Sequence, residues 1–226
     1  MRVLSVASEV FPLVKTGGLA DVAGALPKAL ATQGVEMRVM VPGYPDVMRA
    51  LKGGRPIRRY ADLFGAEARL LSGKAGGLDV IVLDAPALFG RPGNPYLGPD
   101  GADWPDNWRR FAALGRAAAD LGEGLVDAFV PDVVHCHDWQ AGLVPAYVRF
   151  NSPTPAKTIL TVHNIAFQGL FGFEIFNELR LDYRAAQESA VEYYGLINYL
   201  KAGLQTADQL TTVSPTYALE IKTQAY

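Results

Sequence analysis

Three clusters of polar and glycine residues each follow a short apolar run rich in β-branched side chains, and this arrangement limits the fold most. The clusters occupy residues 15–21, 135–140 and 163–169. In an open parallel sheet the carboxyl ends of the strands lie along one edge, where ligands bind. We therefore expect segments that are far apart in the sequence to meet in one cleft. Their side chains suit a polyhydroxylated, phosphate-bearing ligand, because they offer donors to anions and carboxylates to hydroxyl groups.

Strands alternate with helices along the chain. β-rich runs predict strands at residues 2–10, 36–41, 78–83, 132–137, 157–162 and 209–213. Helical spacing predicts helices from Leu19 to Leu30 and at residues 107–121, 141–150 and 188–204, and Ser214-Pro215 is expected to begin a last one. The alternation predicts an α/β fold with a Rossmann-like, doubly wound parallel sheet.

Two segments and one proline interrupt this pattern. Residues 44–77 contain basic and glycine-rich patches, and we expect irregular structure or a side hairpin there. Residues 85–105 hold five prolines and four glycines, which predicts a loop, and a loop this long is more often functional than idle. Pro27 is expected to kink the first helix or to begin a new turn.

The composition excludes some classes of partner. The chain has 226 residues, of which 50% are hydrophobic and 19% charged, as in ordinary globular proteins. The net charge is −2 and no run of lysine and arginine exceeds a pair, which argues against binding to nucleic acid. A polymeric substrate would have to be neutral, such as a glucan.

The expected compartment is the cytoplasm. Cys136 is the single cysteine, so an internal disulfide is excluded and a reducing environment fits. The apolar run near Met1 is too short for the core of a signal peptide. No apolar stretch approaches the roughly 18 residues that cross a bilayer, so we expect no membrane partner.

The first cluster has two interpretations. Gly17 and Gly18 lie between a strand and a helix, where glycines let backbone N–H groups approach an anion, but a tight turn would need glycines as well. Lys15 could bind that anion or be a solvated lysine. Asp21 falls in the first helical turn, where a carboxylate is favourable even without a ligand.

The histidine clusters also leave alternatives open. His135 and His137 would point to one face of a strand, so a metal site would need His163 as its third ligand. Asp138 could bind sugar hydroxyls or cap the following helix. His163, at the end of a strand, is placed for chemistry, yet it could equally be a buried histidine bonded to backbone.

Two aromatic residues in or beside these loops are candidates for sugar stacking. Tyr96 and Trp139 carry flat apolar area that can cover the face of a sugar ring, although most aromatic residues in loops simply close a core.

Several strings in this sequence together resemble bacterial glycogen synthases and plant starch synthases. They agree in order and spacing over essentially the whole chain. The strings are Lys15-Thr16-Gly17-Gly18-Leu19-Ala20-Asp21, Pro42-Gly43-Tyr44, Pro95-Tyr96-Leu97-Gly98, His137-Asp138-Trp139, His163-Asn164-Ile165-Ala166-Phe167-Gln168-Gly169 and Thr212-Val213-Ser214-Pro215-Thr216-Tyr217.

This resemblance implies a retaining glucosyltransferase of the two-domain GT-B type. Such an enzyme moves glucose from ADP-glucose to the non-reducing end of an α-1,4-glucan such as glycogen, with no cofactor and no metal. Residues 1–226 would be its N-terminal, acceptor-side domain, and the C-terminal nucleotide-binding domain would be its missing partner. We expect the chain to be truncated, because it ends in a helix-like run, and to be inactive alone.

The resemblance also implies roles for individual residues. His163 would bond the transferred glucose at the reacting centre. Asp138 and Glu9 would lie near sugar hydroxyls. Lys15 and the backbone of Gly17 and Gly18 would meet the donor's diphosphate or the end of the glucan, and Asp21 would lie beside the donor's ribose or phosphates. The glucose and acceptor subsites would be lined by Tyr96, Trp139 and Asn164.

Two other functions remain open from the residues alone. One is a metal-dependent hydrolase that uses His135, His137 and His163. The other is a non-catalytic glucan-binding module in which Tyr96 and Trp139 hold the sugar.

Overall fold

In a computed structural model that describes residues 1–151, 156–187 and 189–223, the protein is built around an eight-stranded sheet with the strand order β11-β7-β6-β1-β2-β5-β4-β3. These strands are β1 (Arg2–Val6), β2 (Glu36–Pro42), β3 (Lys52–Leu63), β4 (Ala66–Ala75), β5 (Leu78–Asp84), β6 (Val133–His137), β7 (Lys157–Val162) and β11 (Gln209–Thr212). A second sheet joins β8 (Leu170–Gly172), β10 (Leu196–Asn198) and β9 (Glu192–Tyr193) in that order.

Helices connect most of the strands. In the described part of the chain they are α1 (Gly18–Ala31), α2 (Pro45–Ala50), α3 (Pro86–Phe89), α4 (Asn107–Gly122), α5 (Leu143–Asn151), α6 (Tyr199–Thr206) and α7 (Pro215–Glu220). Short 3-10 helices span Trp139–Ala141, Phe173–Leu179 and Tyr183–Ala186. Among the described residues, no helix has both the length and the apolar character needed to cross a membrane.

Burial on both faces explains the apolar strands at the centre of the sheet. In β1 every residue after Arg2 is buried, as are the last four residues of β2. Buried parallel strands read as continuous apolar runs, because helices cover them on both sides. The alanine-rich helix α4 is buried along most of its length and contacts β1, β2 and β6.

The order in which the chain adds strands to the sheet reverses at β1. It passes from β1 through α1 to β2 and β5 on one side, and later returns to place β6, β7 and β11 on the other. Neighbouring strands from β5 to β11 all pair in parallel, so their carboxyl ends share one edge. Ligands bind at such a switch point in α/β sheets. The predicted α/β fold with a Rossmann-like parallel sheet is confirmed.

Within residues 44–77, α2 is followed by a hairpin of β3 and β4 rather than by irregular structure. β3 pairs antiparallel with β4, and β4 pairs antiparallel with β5, so the hairpin extends the main sheet at one edge. The hydroxyl of Tyr60 donates to Asp120 of α4 over 2.8 Å. Of the two expectations for this segment, the side hairpin is confirmed and irregular structure is wrong.

The helix predicted at residues 188–204 is wrong over most of its length. Residue 188 lies outside the described residues, β9 and β10 follow, and only α6 is helical. Tyr194 and Gly195 have φ angles of 50° and 80°, which turn the chain between the two strands. The aromatic and branched side chains there suit a sheet, and tertiary pairing with β8 decides their conformation.

Smaller differences concern element ends. β1 stops at Val6, well before residue 10. Residues 139–141 form a 3-10 helix, so α5 begins at Leu143. The loop at residues 85–105 contains the short helix α3, and α1 continues through Pro27 as far as Ala31. Ser214 caps α7 by accepting from the N–H of Tyr217, so the predicted start of the last helix is confirmed.

Gly142 offers a test of how closely α6 packs behind the site. A Cβ on Gly142 would lie 2.1 Å from the carbonyl oxygen of Tyr199. Because that backbone cannot move away without shifting α6, Gly142→Ala should lower the free energy of unfolding by about 1–3 kcal/mol, measured by urea denaturation. Gly18→Ala is the matched control, since nothing lies within 4 Å of its added Cβ. Equal stability of the two variants would contradict this packing.

Candidate functional site

Two of the predicted clusters meet where neighbouring strands end. Asp138 follows β6 and His163 follows β7, and these strands are paired in parallel. The carboxylate of Asp138 accepts the backbone N–H of His163 over 2.6 Å and that of Asn164 over 3.4 Å. One buried carboxylate thus fixes the start of the loop that carries His163.

Asp138 has an unusual backbone conformation. Its φ and ψ are 55° and −168°, a region that is almost restricted to glycine and costs about 1–3 kcal/mol for other residues. The N–H of Asp138 donates to the carbonyl of Thr161 over 3.0 Å, which holds this conformation in place. Its side chain makes no capping bond to the following 3-10 helix, so the capping alternative is wrong.

The ionisation of Asp138 is shifted toward neutral pH. Burial raises the pKa of Asp138 to about 6, although the N–H groups of His163 and Asn164 favour the charged form. The negative charge of Glu9 raises this pKa further. A carboxyl group in this state can accept from a hydroxyl when charged or donate to one when protonated.

Glu9 joins two loops. It is 3% exposed and lies after β1, beside β6. Its carboxylate accepts from the N–H and the hydroxyl of Thr16, from the N–H of Gly17 over 3.3 Å and from the hydroxyl of Tyr96. Since both oxygens are already bonded, Glu9 holds the loop of residues 15–17 against the loop of residues 85–105. Contact between Glu9 and a sugar hydroxyl stays a prediction.

Lys15 and Asp21 are joined to each other. The Nζ atom of Lys15 lies 2.8 and 2.7 Å from the two carboxylate oxygens of Asp21. Both side chains are about half exposed, so the pair contributes at most about 1 kcal/mol to stability. Asp21 lies in the first turn of α1, as expected, and it keeps the ammonium group of Lys15 beside the amino end of that helix.

Gly17 and Gly18 are not explained by a tight turn. Gly17 is extended, with φ at −146° and ψ at −167°, and neither glycine is among those with a positive φ. Apart from their own neighbours and helix, no described heavy atom lies within 4 Å of a Cβ built on either residue. The space over this loop is therefore open at the amino end of α1. Binding of a phosphate there stays a prediction.

The two candidate aromatic residues are largely occupied by packing. Trp139 is 9% exposed, and its ring meets Phe111 edge-on at 4.9 Å. A Cβ on Gly169 would lie 2.4 Å from the indole of Trp139, so the 163–169 loop rests on that ring. Tyr96 directs its hydroxyl to Glu9 and to Ser8. Sugar contacts by Trp139 and Tyr96 stay predictions, whereas their packing is observed.

Asn164 is exposed at the edge of the site. Its side-chain oxygen accepts the N–H of Ala166 over 3.0 Å, which shapes the loop after β7. The N–H of Ile165 donates to the hydroxyl oxygen of Tyr217 in α7 over 2.9 Å. Tyr217, which belongs to the string of residues 212–217, therefore supports the loop that carries His163.

The three histidines lie side by side. The rings of His135 and His137 are 4.3 Å apart, as expected for one face of a strand, and His137 and His163 are 5.2 Å apart. Burial lowers the pKa of His135 and of His163 to about 4, and it lowers that of His137 well below its usual value. All three rings are therefore neutral at pH 7.

The ring nitrogens of these histidines do not converge on one point. Nε2 of His137 lies 3.1 Å from the hydroxyl of Ser5, and Nδ1 lies 2.9 Å from Nε2 of His163. Nε2 of His135 lies 2.6 Å from the hydroxyl of Thr161. Within residues 1–151, 156–187 and 189–223, no group of three or more metal-binding side chains is suitably placed. This geometry gives the metal-dependent hydrolase no support.

Ser5 and Thr16 are site residues that the sequence motifs did not reveal. Ser5 lies inside β1, where a serine looks like part of an apolar run, and only its pairing with His135 places it beside the histidines. Thr16 stood within the first cluster without an assigned role. The apolar environment of Ser5 was the available signal, because a buried hydroxyl requires a partner.

Comparison with known proteins gives consistent matches. Residues 2–226 match the family model of the starch synthase catalytic domain. Glycogen synthase 2 of Bradyrhizobium diazoefficiens is 60% identical over 221 residues, which are 98% of this chain and 46% of that protein. The glycogen synthase of Rhodopseudomonas palustris strain BisB18 is 59% identical over 219 residues, which are 97% of this chain and 45% of that protein.

A solved structure is similar over the same extent. The catalytic domain of starch synthase IV from Arabidopsis thaliana, bound to ADP and acarbose, matches with a TM-score of 0.82 and 28% sequence identity. The match covers 99% of this chain and 47% of that one. The chain spans just under half the length of the curated relatives it matches.

Asp138→Asn should stabilise the protein increasingly as the pH rises. The pKa of Asp138 is about 6 in the folded protein, whereas that of an aspartate in an unfolded chain is about 3.9. Stability from that proton is fully present below about pH 4 and is lost as the pH rises through about 6. The amide does not titrate, so the variant should gain roughly 2–3 kcal/mol relative to wild type between pH 4 and pH 7.

Urea unfolding at pH 4, 5.5 and 7 measures this difference. Asn164→Ala is the control, because it changes a neighbouring side chain that does not titrate, and its effect should be independent of pH. A constant difference between Asp138→Asn and wild type at all three values would contradict the shifted carboxyl.

Glu9 and Tyr96 should be energetically coupled. Glu9→Gln leaves buried donors with a poorer acceptor and should lower the free energy of unfolding by about 1–3 kcal/mol, while Tyr96→Phe should cost about 0.5–1.5 kcal/mol. Because the two share a hydrogen bond, the double variant should lose less than the sum of the single losses. Tyr194→Phe, at a tyrosine that is 90% exposed, is the control. Additive losses would show that the two loops are independent.

Proposed function

The chain belongs to the starch synthase catalytic domain family, and we propose that it is the N-terminal, acceptor-side domain of a retaining GT-B glucosyltransferase. The whole enzyme is a glycogen synthase that transfers glucose from ADP-glucose to the non-reducing end of an α-1,4-glucan. One observation carries this proposal: Asp138 and His163 meet at the ends of adjacent strands, where the carboxylate of Asp138 accepts the backbone N–H of His163.

The donor phosphates are assigned to the amino end of α1. The open space over Gly17 and Gly18 lets a diphosphate approach the backbone, and the helix dipole favours an anion there. Lys15 supplies a positive charge, and its bonds to Asp21 hold the ammonium group beside the amino end of α1. The Arabidopsis thaliana relative was solved with ADP, which supports a nucleotide donor for this family.

The transferred glucose is assigned to the Asp138–His163 edge. Asp138 and Asn164 offer groups for sugar hydroxyls, and the neutral ring of His163 can hydrogen-bond a sugar oxygen without adding charge. Tyr96 and Trp139 shape this edge from within, and only their remaining exposed atoms are available to the glucan.

The reaction needs stabilisation of two charges at once. As the bond between the anomeric carbon and the diphosphate breaks, negative charge grows on the phosphate and positive charge grows on the sugar ring. The acceptor hydroxyl attacks from the same face, and its proton passes to the leaving phosphate oxygen, which gives retention. Closure of the second domain over this edge excludes water, which would otherwise compete as acceptor.

We assign the enzyme to the cytoplasm, because Cys136 is buried as a free thiol and suits a reducing environment. The partner of this domain in the proposal is the C-terminal, nucleotide-binding domain of the same enzyme. No cofactor and no metal are part of the proposal.

Joining residues 1–226 to the remainder of the Bradyrhizobium diazoefficiens glycogen synthase 2 tests the proposed function. That relative shares 60% identity with this chain, so the interface between the halves should be preserved. Incorporation of labelled glucose into glycogen is measured with ADP-glucose and with UDP-glucose. Transfer from ADP-glucose supports the proposal. Binding of glucan without any transfer would favour the non-catalytic module instead.

In that chimera His163→Ala should lower kcat by about 100-fold, the size of effect seen when a donor at a developing charge is removed. The KM for ADP-glucose should change by less than about threefold, because the loss falls on the transition state and not on binding. His135→Gln is the matched control and should retain activity, since the ring of His135 bonds Thr161 and does not contact His163 through a hydrogen bond. Unchanged turnover in His163→Ala would remove His163 from the mechanism.

A further inference from the structure

A hydrogen-bonded row runs from the interior of the sheet to His163. The hydroxyl of Ser5 lies 3.1 Å from Nε2 of His137, and Nδ1 of His137 lies 2.9 Å from Nε2 of His163. Ser5 and His137 are both 0% exposed, and His163 is half-buried at the edge of the cleft. The row therefore begins in the core and ends at the residue proposed to contact the sugar.

The position of each proton follows from the Ser5 hydroxyl. Among the described residues, its hydrogen bond is the one to His137. A buried hydroxyl that only accepted would leave its own proton unpaired, which costs more than an unused lone pair. Ser5 therefore donates, so Nε2 of His137 carries no proton and the proton of that ring is on Nδ1.

The tautomer of His163 follows from that of His137. Because Nδ1 of His137 is protonated, it donates to Nε2 of His163, which must then be the unprotonated nitrogen of that ring. The proton of His163 is left on Nδ1. A neutral imidazole has one donor and one acceptor, so fixing the first fixes the second.

We propose that Ser5 and His137 are positioning residues that hold His163 as the neutral Nδ1–H tautomer, so that its ring presents a hydrogen-bond donor to a sugar oxygen in the cleft. This inference rests on the proposed function for the identity of the sugar, whereas the tautomer itself is a property of the protein without substrate. Ser5 and His137 do not contact the sugar and act through His163.

The surroundings of the row favour neutral rings. The ring centroids of His135 and His137 are 4.3 Å apart, so a charge on either ring would be repelled by a charge on the other. The carboxylate of Asp138 bonds the backbone N–H of His163 and not its ring, so it does not hydrogen-bond a charged imidazolium there. Burial lowers the pKa of all three histidines, so acid does not convert His163 into a charged double donor until well below pH 6.

A neutral donor suits glucosyl transfer better than a charged one. Positive charge develops on the sugar ring as the donor bond breaks, and an imidazolium beside it would raise the energy of that state. An acceptor nitrogen at the same position would leave a sugar oxygen without its donor. The hydrogen-bonded row selects the neutral Nδ1–H form of His163, which avoids both the extra positive charge and the missing donor.

Ring nitrogen NMR tests the tautomer directly. The chain contains three histidines, so protein labelled with 15N-histidine gives three ring systems, which His135→Gln and His163→Gln assign. At pH 7 we expect Nδ1 of His163 at the frequency of a protonated nitrogen and Nε2 at that of an unprotonated one. The reverse pattern for His163 in the wild-type protein would overturn the proposal, and this readout requires no substrate and no variant at Ser5 or His137.

Ser5→Ala tests the cause of the tautomer. Without the hydroxyl, His137 is free to move its proton to Nε2, so a second His163 form with the proton on Nε2 should appear. Ser5→Thr retains the hydroxyl and should restore the wild-type pattern. Thr161→Val is the matched control, because it removes the hydroxyl bonded to His135 and leaves the row to His163 intact. An unchanged His163 pattern in Ser5→Ala would overturn the role of Ser5.

Kinetics of the chimera separate positioning from folding. Ser5→Ala should lower kcat roughly five- to tenfold, the value of one hydrogen bond, with the KM for ADP-glucose nearly unchanged. Equal kcat values for Ser5→Ala and wild type would overturn the functional role. If the wild-type chimera transfers no glucose, the proposed function fails. The NMR pattern still decides whether the hydrogen-bonded row sets the tautomer of His163.

Discussion

The hydrogen bond between the carboxylate of Asp138 and the backbone N–H of His163 is the interaction on which the site depends. It joins the ends of β6 and β7, where Asp138 has a backbone conformation that few residues other than glycine adopt. Strain of this kind persists only where the surrounding structure over-determines it. The parallel pairing of β6 and β7 provides that support, because it places the first residues of both loops side by side at the same edge of the sheet.

A second buried carboxylate extends the same arrangement across the switch point. Glu9 bonds the N–H of Gly17 before α1 and the hydroxyl of Tyr96, so two loops from different parts of the chain share one polar interior. Burial is the main reason why the pKa of Asp138 is raised, and the negative charge of Glu9 raises it further. The protein accepts the cost of this burial at the edge where a sugar and a diphosphate would bind.

The sequence predicted the framework of this site and the position of its strand-end residues. Asp138 and His163 could be placed together because each follows a β-branched run, and parallel strands end at one edge. The roles of Trp139 and Tyr96 were less accessible, because local sequence does not show whether a loop aromatic packs inward. The failure at residues 188–204 has the same cause, since pairing with β8 overrides a helical pattern.

We propose that segments far apart in the sequence form one carbohydrate-binding edge. Backbone amide shifts of the 15N-labelled chain, followed during titration with a maltooligosaccharide, test this claim most directly. We expect the amides of Tyr96, Asp138 and Asn164, which lie in three separate loops, to shift together with a single apparent affinity. Shifts confined to one of these loops, or found only on the far side of the sheet, would contradict it.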